Sequence, residues 1–302
     1  MKPFACWRLF PVLLALAAWL PVVQAQGVTT PTLDRVRANG AIYVGYRESS
    51  IPFSYMVGDE VVGYSTELCD RVVDAVRAKL GMPDLKVVRV PVTGFSRVLM
   101  LMTGSVDLEC GSTTNTKIRQ QRMAFSVTTF VSGVKVMVRR DSGIEGIVDL
   151  GGKVVVTSSG IATERAVRSA LAVRKLPTAR IRTTSKHADA FTMVVSRQAD
   201  AFALDESILL WLMATSPDGG GLKLLEGNVG LEPYAIGLRM GDPDFKKLVD
   251  DALAAMMGSG ELGRLYEKWF MSPIPPNKVN LRIPMSDMLK EMLRNPSDAG
   301  IQ

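Results

Sequence analysis

The 302-residue chain holds a single histidine, His187, and only three cysteines. One histidine excludes a two-histidine metal site, and neither a CxxC nor an HExxH spacing occurs. Ser185, His187 and Asp189 alternate along one segment, but such neighbours rarely form the hydrogen-bonded chain that a nucleophilic triad needs. The Gly-Gly pairs at Gly151-Gly152 and within 219–221 lack the lysine and threonine of a phosphate loop. No catalytic residue, metal or cofactor is therefore expected. Runs of like charge are absent as well: the basic residues are scattered, which argues against nucleic acid or anionic lipid as partner. Beyond residue 25 no apolar stretch is long enough to span a bilayer.

The first 25 residues read differently. Lys2 and Arg8 precede an apolar run over 9–23 that is interrupted by Pro11 and Pro21. Val23-Gln24-Ala25 then offers small residues where a signal peptidase reads them, so cleavage is expected after Ala25. The mature chain is expected outside the cytoplasm, in the periplasm. Cys6 leaves with that segment. Cys69 and Cys110 could bridge in an oxidising compartment, but each also reads as a buried small apolar residue, the reading favoured here. The formal charge of +6 falls to +4 without Lys2 and Arg8. A mild positive balance suits an anionic ligand.

With 47% hydrophobic and 22% charged residues, the chain is an ordinary globular one of about two domains. Strand-like runs alternate with amphipathic helical runs, the signature of α/β architecture. In the first set, strands are expected at 41–46, 85–90 and 106–110, with a hairpin over 54–62. Helices are expected at 33–39, 66–80, 96–102 and 117–122. A long strand at 131–138 leads into a second set, with strands at 153–156, 180–183 and 201–204. Its helices are read at 163–173, 188–198 and 207–214. A strand at 234–238 follows, then a helix capped by Asp242 with Pro243 at its first position, and a last helix at 261–270. The proline-rich tail after Ser272 carries one short amphipathic stretch near 285–293.

The segment from Cys110 to Arg119 (CGSTTNTKIR) leaves a buried strand and carries hydroxyls, backbone N–H groups and a guanidinium. Ligands gather at the carboxyl ends of strands in α/β sheets, and an arginine can grip a carboxylate through two parallel bonds. A capped helix with a solvated arginine would read the same way.

Four stretches make the reading specific: GYRESSIPFSY at 45–55, DLECGSTTN at 107–115 with Arg119 behind it, VVVTS at 154–158 and PIPPNKVNL at 273–281. They resemble the glutamate/aspartate-binding proteins of bacterial ABC transporters, in the polar amino-acid branch of periplasmic solute-binding proteins. The resemblance implies a type II periplasmic-binding-protein-like fold, two α/β lobes joined by a two-strand hinge. Lobe one would be 27–133 plus 231–302 and lobe two 134–230. It implies a monomeric, non-enzymatic receptor that delivers glutamate or aspartate to a membrane permease. It also implies roles. Arg119 matches the holder of the ligand α-carboxylate, helped by Thr114, Thr157 and Ser158. Asp205, with Ser112 beside it, matches the partner of the α-ammonium. Arg47, Arg97 and His187 match the basic group around the side-chain carboxylate, with His187 expected to bind as the cation.

Physical chemistry agrees, because buried charges need partners. An acidic amino acid brings two carboxylates and one ammonium, and each meets an opposite charge. Taken singly, Arg47 and Arg97 could be surface cations, His187 a helix-start residue facing water and Asp205 only an N-cap. One departure concerns specificity. The family usually has serine three residues before the arginine matched to Arg97, and here that residue is Gly94. An insertion near Ser159-Gly160 accompanies it. An enzyme on the same scaffold, resembling cyclohexadienyl dehydratase, would need similar arginines plus a general acid such as Glu109 or Glu164.

Overall fold

The computed structural model describes residues 30–302, so the export segment read at 1–25 lies outside the described residues. Alternating strands and helices build two large sheets. The first runs in the order Lys86–Pro91, Ala41–Tyr46, Leu108–Glu109, Gly237–Leu238, Ala124–Phe125. Its first three strands are parallel, and Gly237–Leu238 pairs antiparallel on both sides. The second runs Arg180–Thr184, Val154–Ser158, Ala201–Asp205, Phe130–Arg139, Leu222–Leu224, and Gly230–Tyr234 also pairs with Phe130–Arg139. Parallel neighbours need crossover connections. Helices Tyr64–Leu80 and Ser96–Met102 serve the first sheet, Thr163–Val173 and His187–Val195 the second.

Helix Tyr64–Leu80 shows how sequence sets this arrangement. Leu68, Val72, Val73 and Val76 fall on one face and are fully buried, each worth about 2 kcal/mol of apolar transfer. Gly81 ends the helix at φ 65, a left-handed conformation that glycine adopts without strain. In the second sheet the Ala201–Asp205 strand is buried along its whole length, as a central strand covered on both faces should be.

The chain crosses between the sheets twice, from Ala124–Phe125 to Phe130–Arg139 and back from Gly230–Tyr234 to Gly237–Leu238. The two crossing strands are antiparallel partners, with Phe130 opposite Tyr234. Both rings enter an aromatic cluster. The Phe53 ring lies 4.8 Å from that of Phe130 and 5.0 Å from that of Tyr234, and Phe270 lies 4.8 Å from Phe130. These contacts anchor the crossing strands where they leave the first sheet.

Three expectations need correction. The helix read at 117–122 is only a three-residue turn, Arg119–Gln121, because the preceding backbone is held extended: Thr114 bridges Tyr234 and Thr116 bridges Ile301. The strand read at 234–238 is two strands, Gly230–Tyr234 and Gly237–Leu238, since the chain changes sheets between them. Cys69 and Cys110, favoured as unbridged, form a disulfide with their Cα atoms 6.2 Å apart. Helix Tyr64–Leu80 packs on the first sheet and brings Cys69 over the end of the Leu108–Glu109 strand, where residue spacing alone could not place it.

Candidate functional site

The residues singled out in the sequence sit at or just beyond strand carboxyl ends, on two edges that face each other. Arg47 follows Ala41–Tyr46, and Arg97 lies on the helix after Lys86–Pro91. Ser112, Thr114 and Arg119 follow Leu108–Glu109. From the second sheet, Thr157 and Ser158 end one strand, Asp205 ends another, and His187 opens the helix after Arg180–Thr184. Arg97 is 1% exposed, and Arg47, Thr114, Thr157, Ser158, His187 and Asp205 are also buried. The surface-cation reading of Arg47 and Arg97 therefore fails.

Two guanidinium groups from the first sheet converge on one oxygen of the second. Arg97 Nη2 lies 3.4 Å and Arg119 Nη2 3.2 Å from the Gly160 carbonyl. Local bonds fix the two side chains. Arg97 Nη1 donates to Thr113 Oγ1 at 2.5 Å and to the Ser112 carbonyl at 3.3 Å. Arg119 Nη1 donates to the Thr114 carbonyl at 2.9 Å. Arg97 Nε and Arg47 Nη1 make no hydrogen bond within the protein. Burial and the neighbouring Arg97 lower Arg47 to about 10 and Arg119 to about 9. Crowded, desolvated cations of this kind gain most from an anion.

His187 bonds through Nδ1 to Ser158 Oγ at 2.7 Å. Burial, then Arg47 and Arg97, push its pKa down to about 3. The protein's own groups thus hold the ring neutral, against the expected cation: two nearby guanidinium groups already supply the positive charge. A neutral imidazole still offers one N–H donor. Asp205 precedes helix Glu206–Thr215 but makes no capping bond, so the N-cap reading fails too. Its Oδ1 has no hydrogen-bond partner. Burial, with Glu232 nearby, pushes its carboxyl up to about 8. Thr157 is brought close but turned to its own sheet, donating to the Ala203 carbonyl at 2.9 Å. For Ser112 the engaged atom is the backbone carbonyl.

Several members of the site were missed. Thr113 lies within the stretch at 107–115 and Gly160 at the noted insertion, but neither was given a role of its own. Glu109, named in the sequence only as a possible general acid, is fully buried with both oxygens unbonded, close enough to Arg47 and Arg119 to offset their charge. Glu232 accepts from Thr114 Oγ1 and, at 2.9 Å, from Thr163 Oγ1. A glutamate within a crossing strand, between Leu231 and Pro233, was the available signal. Among the described residues, no cluster of three or more His, Cys, Asp or Glu side chains could hold a metal ion.

Comparison with known proteins places this arrangement. The chain is 38% identical over 271 residues to the glutamate/aspartate import solute-binding protein of Salmonella typhimurium, covering 89% of each chain. It is 37% identical over 300 residues to the L-glutamate/L-aspartate-binding protein of Pseudomonas aeruginosa, covering 98% of this chain and 99% of that one. Among solved structures, an ancestral amino acid-binding protein, AncCDT-1, described as a precursor of cyclohexadienyl dehydratase, matches with TM-score 0.68. It is 27% identical, over 79% of this chain and 99% of the other. An ancestral arginine-binding protein bound to arginine matches with TM-score 0.67 and 25% identity, over 76% and 98%. The sequence also matches the bacterial extracellular solute-binding proteins, family 3, across residues 42–272, so two lobes, two crossings and facing strand ends are the fold of that family, to which this chain belongs.

Proposed function

We propose that this protein is an extracytoplasmic receptor, periplasmic and monomeric, that binds glutamate or aspartate and presents it unchanged to an ABC permease. One observation carries the reading: Arg97 and Arg119 aim at the same oxygen from one lobe, beside the buried Asp205 of the other. In the proposed complex Arg119 holds the α-carboxylate, with Thr114, Thr157 and Ser158 around it. Asp205 and Ser112 take the ammonium. Arg47, Arg97 and a neutral, donating His187 surround the side-chain carboxylate. The lobes would be residues 27–133 plus 231–302, and 134–230. Ligand contacts drawn from both favour the closed form, because only that form gains them all. Names of relatives support the ligand class, and the charges lining the cleft support it independently. Neither nucleic acid nor a cofactor is part of this reading.

Calorimetry against a panel of amino acids tests it. Glutamate or aspartate should bind, raise the melting temperature by mass action, and be recovered intact. Glutamine and lysine should do neither. Absence of a shift with any acidic amino acid at millimolar concentration would remove the reading, and chemical conversion of the ligand would replace it with an enzymatic one.

A further inference from the structure

Asn115 closes the stretch at 107–115 and is fully buried. Its polar groups are engaged by three separate parts of the chain. The backbone N–H donates to the Pro233 carbonyl on the crossing strand at 2.8 Å, and the backbone carbonyl accepts from Ile301 N–H at 3.1 Å. The side-chain Nδ2 donates to the Asp298 carbonyl at 2.8 Å, and Oδ1 accepts from Gln120 Nε2 at 2.9 Å. Residues 297–301, beyond helix Asp287–Arg294, thus run alongside the turn that carries Arg119. Ile301 pairs parallel with Thr116, and its carbonyl accepts from Lys117 N–H at 2.7 Å. Gln120 Nε2 also donates to the Asp298 carbonyl, at 2.9 Å. Gly300 leaves room for this contact: a Cβ there would fall 2.9 Å from Asn115 Oδ1 and 3.0 Å from Gln120 Nε2. An irregular segment this short stays poorly ordered unless tied down. This one is: the Ser297 carbonyl accepts from Thr128 N–H at 2.9 Å, and the Asp298 carboxylate pairs with Lys246 at 3.0 Å.

Two of the bonds that orient Arg119 come from the residues held in this way. The Thr114 carbonyl accepts from Arg119 Nη1 at 2.9 Å, and Thr116 Oγ1 accepts from the Arg119 backbone N–H at 3.2 Å. Thr114 also bridges Tyr234. The stretch 114–117 is therefore held by the crossing strand through Thr114 and Asn115, and by residues 298–301 through Asn115, Thr116 and Lys117. Without the second support the Asn115 carbonyl and the Lys117 N–H lose their partners. A binding group is placed well only when its own supports are fixed. We propose that residues 297–301 are a positioning strap for Arg119, gripping its turn through Asn115 and Gln120. Ligand affinity then depends on a segment that supplies none of the proposed ligand contacts. The inference rests on the reading of Arg119 as the carboxylate anchor.

The test removes residues 297–302 and compares glutamate and aspartate binding by calorimetry, well below the melting temperature of either protein. Affinity should fall roughly 10-fold, as when one charged hydrogen bond loses its alignment. Gln120→Ala removes only that side chain's two bonds. It should weaken binding in the same direction, by roughly 3-fold. A second readout needs no ligand. A guanidinium fixed by carbonyl acceptors exchanges its hydrogens slowly. The Nη–H resonances of Arg119, assigned by their loss in Arg119→Lys, should be distinct in the wild type and averaged in the shortened protein. A segment that merely added stability would lower the melting temperature and leave both readouts alone. Wild-type affinity in the folded, shortened protein overturns the proposal, and so do unchanged Arg119 resonances there. If the shortened protein does not fold, wild-type affinity in Gln120→Ala overturns it. If no acidic amino acid binds the wild type, the receptor reading fails, and the Arg119 resonances alone decide the strap.

Discussion

Gly94 and Gly160 meet backbone to backbone across the two lobes. A Cβ on Gly94 would fall 2.7 Å from the Ser159 carbonyl oxygen, and one on Gly160 would fall 2.7 Å from the Gly94 carbonyl carbon. Gly160 also has φ +73, where side chains are strained. The glycine that replaces the family's usual serine therefore clears the path for the Ser159-Gly160 loop, whose carbonyl reaches Arg97 and Arg119.

Restoring that serine should accordingly weaken binding rather than improve it. Gly94→Ser forces the facing loop away, and overpacking of this kind costs about 1–3 kcal/mol. We expect an affinity loss of roughly 10-fold or more by calorimetry, with the melting temperature nearly unchanged if the cost falls only on closure. Tighter binding by Gly94→Ser would show that the loop yields freely.

Arg119→Ala should abolish measurable binding while the protein stays folded. Removing one partner of a buried charge pair costs about 2–5 kcal/mol or more. The change also leaves the Thr114 carbonyl without its arginine donor and removes one of the two donors to the Gly160 carbonyl. Unaltered affinity would show that the α-carboxylate is held elsewhere.

His187 predicts an acid-side loss of stability. Its pKa is about 3 in the folded protein against an ordinary 6.5 when unfolded. Between these values the unfolded chain binds the extra proton. Stability is thus fully present above about pH 6.5 and is lost as the pH falls toward 3, at about 1.4 kcal/mol for each pH unit. His187→Gln should show a shallower decline of melting temperature between pH 6.5 and 4. Parallel curves for the two proteins would mean that the ring is already charged.

Breaking the disulfide should act on stability first. The bridge spans a sequence separation of 41, for which loop closure predicts a loss of about 4 kcal/mol, within the measured spread of 2–5. Cys69→Ala with Cys110→Ala should lower the melting temperature. Cys110 directly precedes Gly111-Ser112, so a smaller loss of ligand affinity should accompany it. An unchanged melting temperature would place the constraint elsewhere.

Much of this arrangement was legible because local chemistry decided it. Helices Ser96–Met102, Thr163–Val173 and Glu261–Phe270 follow from apolar spacing and neighbouring glycine or polar signals. Arg97, Arg119, Asp205 and His187 were singled out through motif resemblance, and the fold buries or partly buries all four at facing strand ends. What stayed hidden depended on residues far apart in sequence. The turn at Arg119–Gln121 looks helical until Thr116 is seen bridging Ile301. The charge of His187 is set by its burial and then by Arg47 and Arg97, which lie more than eighty residues away. Glu232 gains its partners only when Thr114 and Thr163 converge on it.

The route of the chain through its two sheets bears on the order in which they are made. All strands of the second sheet come from one uninterrupted stretch, Phe130 to Tyr234. The first sheet is divided: Gly237–Leu238 must slot between Leu108–Glu109 and Ala124–Phe125. During synthesis from the amino terminus, the second sheet can pair while the first still has a gap. The motif strand Leu108–Glu109 waits with one side unpaired for more than a hundred further residues. Contacts of such long sequence separation form late. The proposed carboxylate anchor is therefore assembled after the sheet that faces it, and a ribosome stalled before residue 237 would carry a finished second sheet and an unfinished first one.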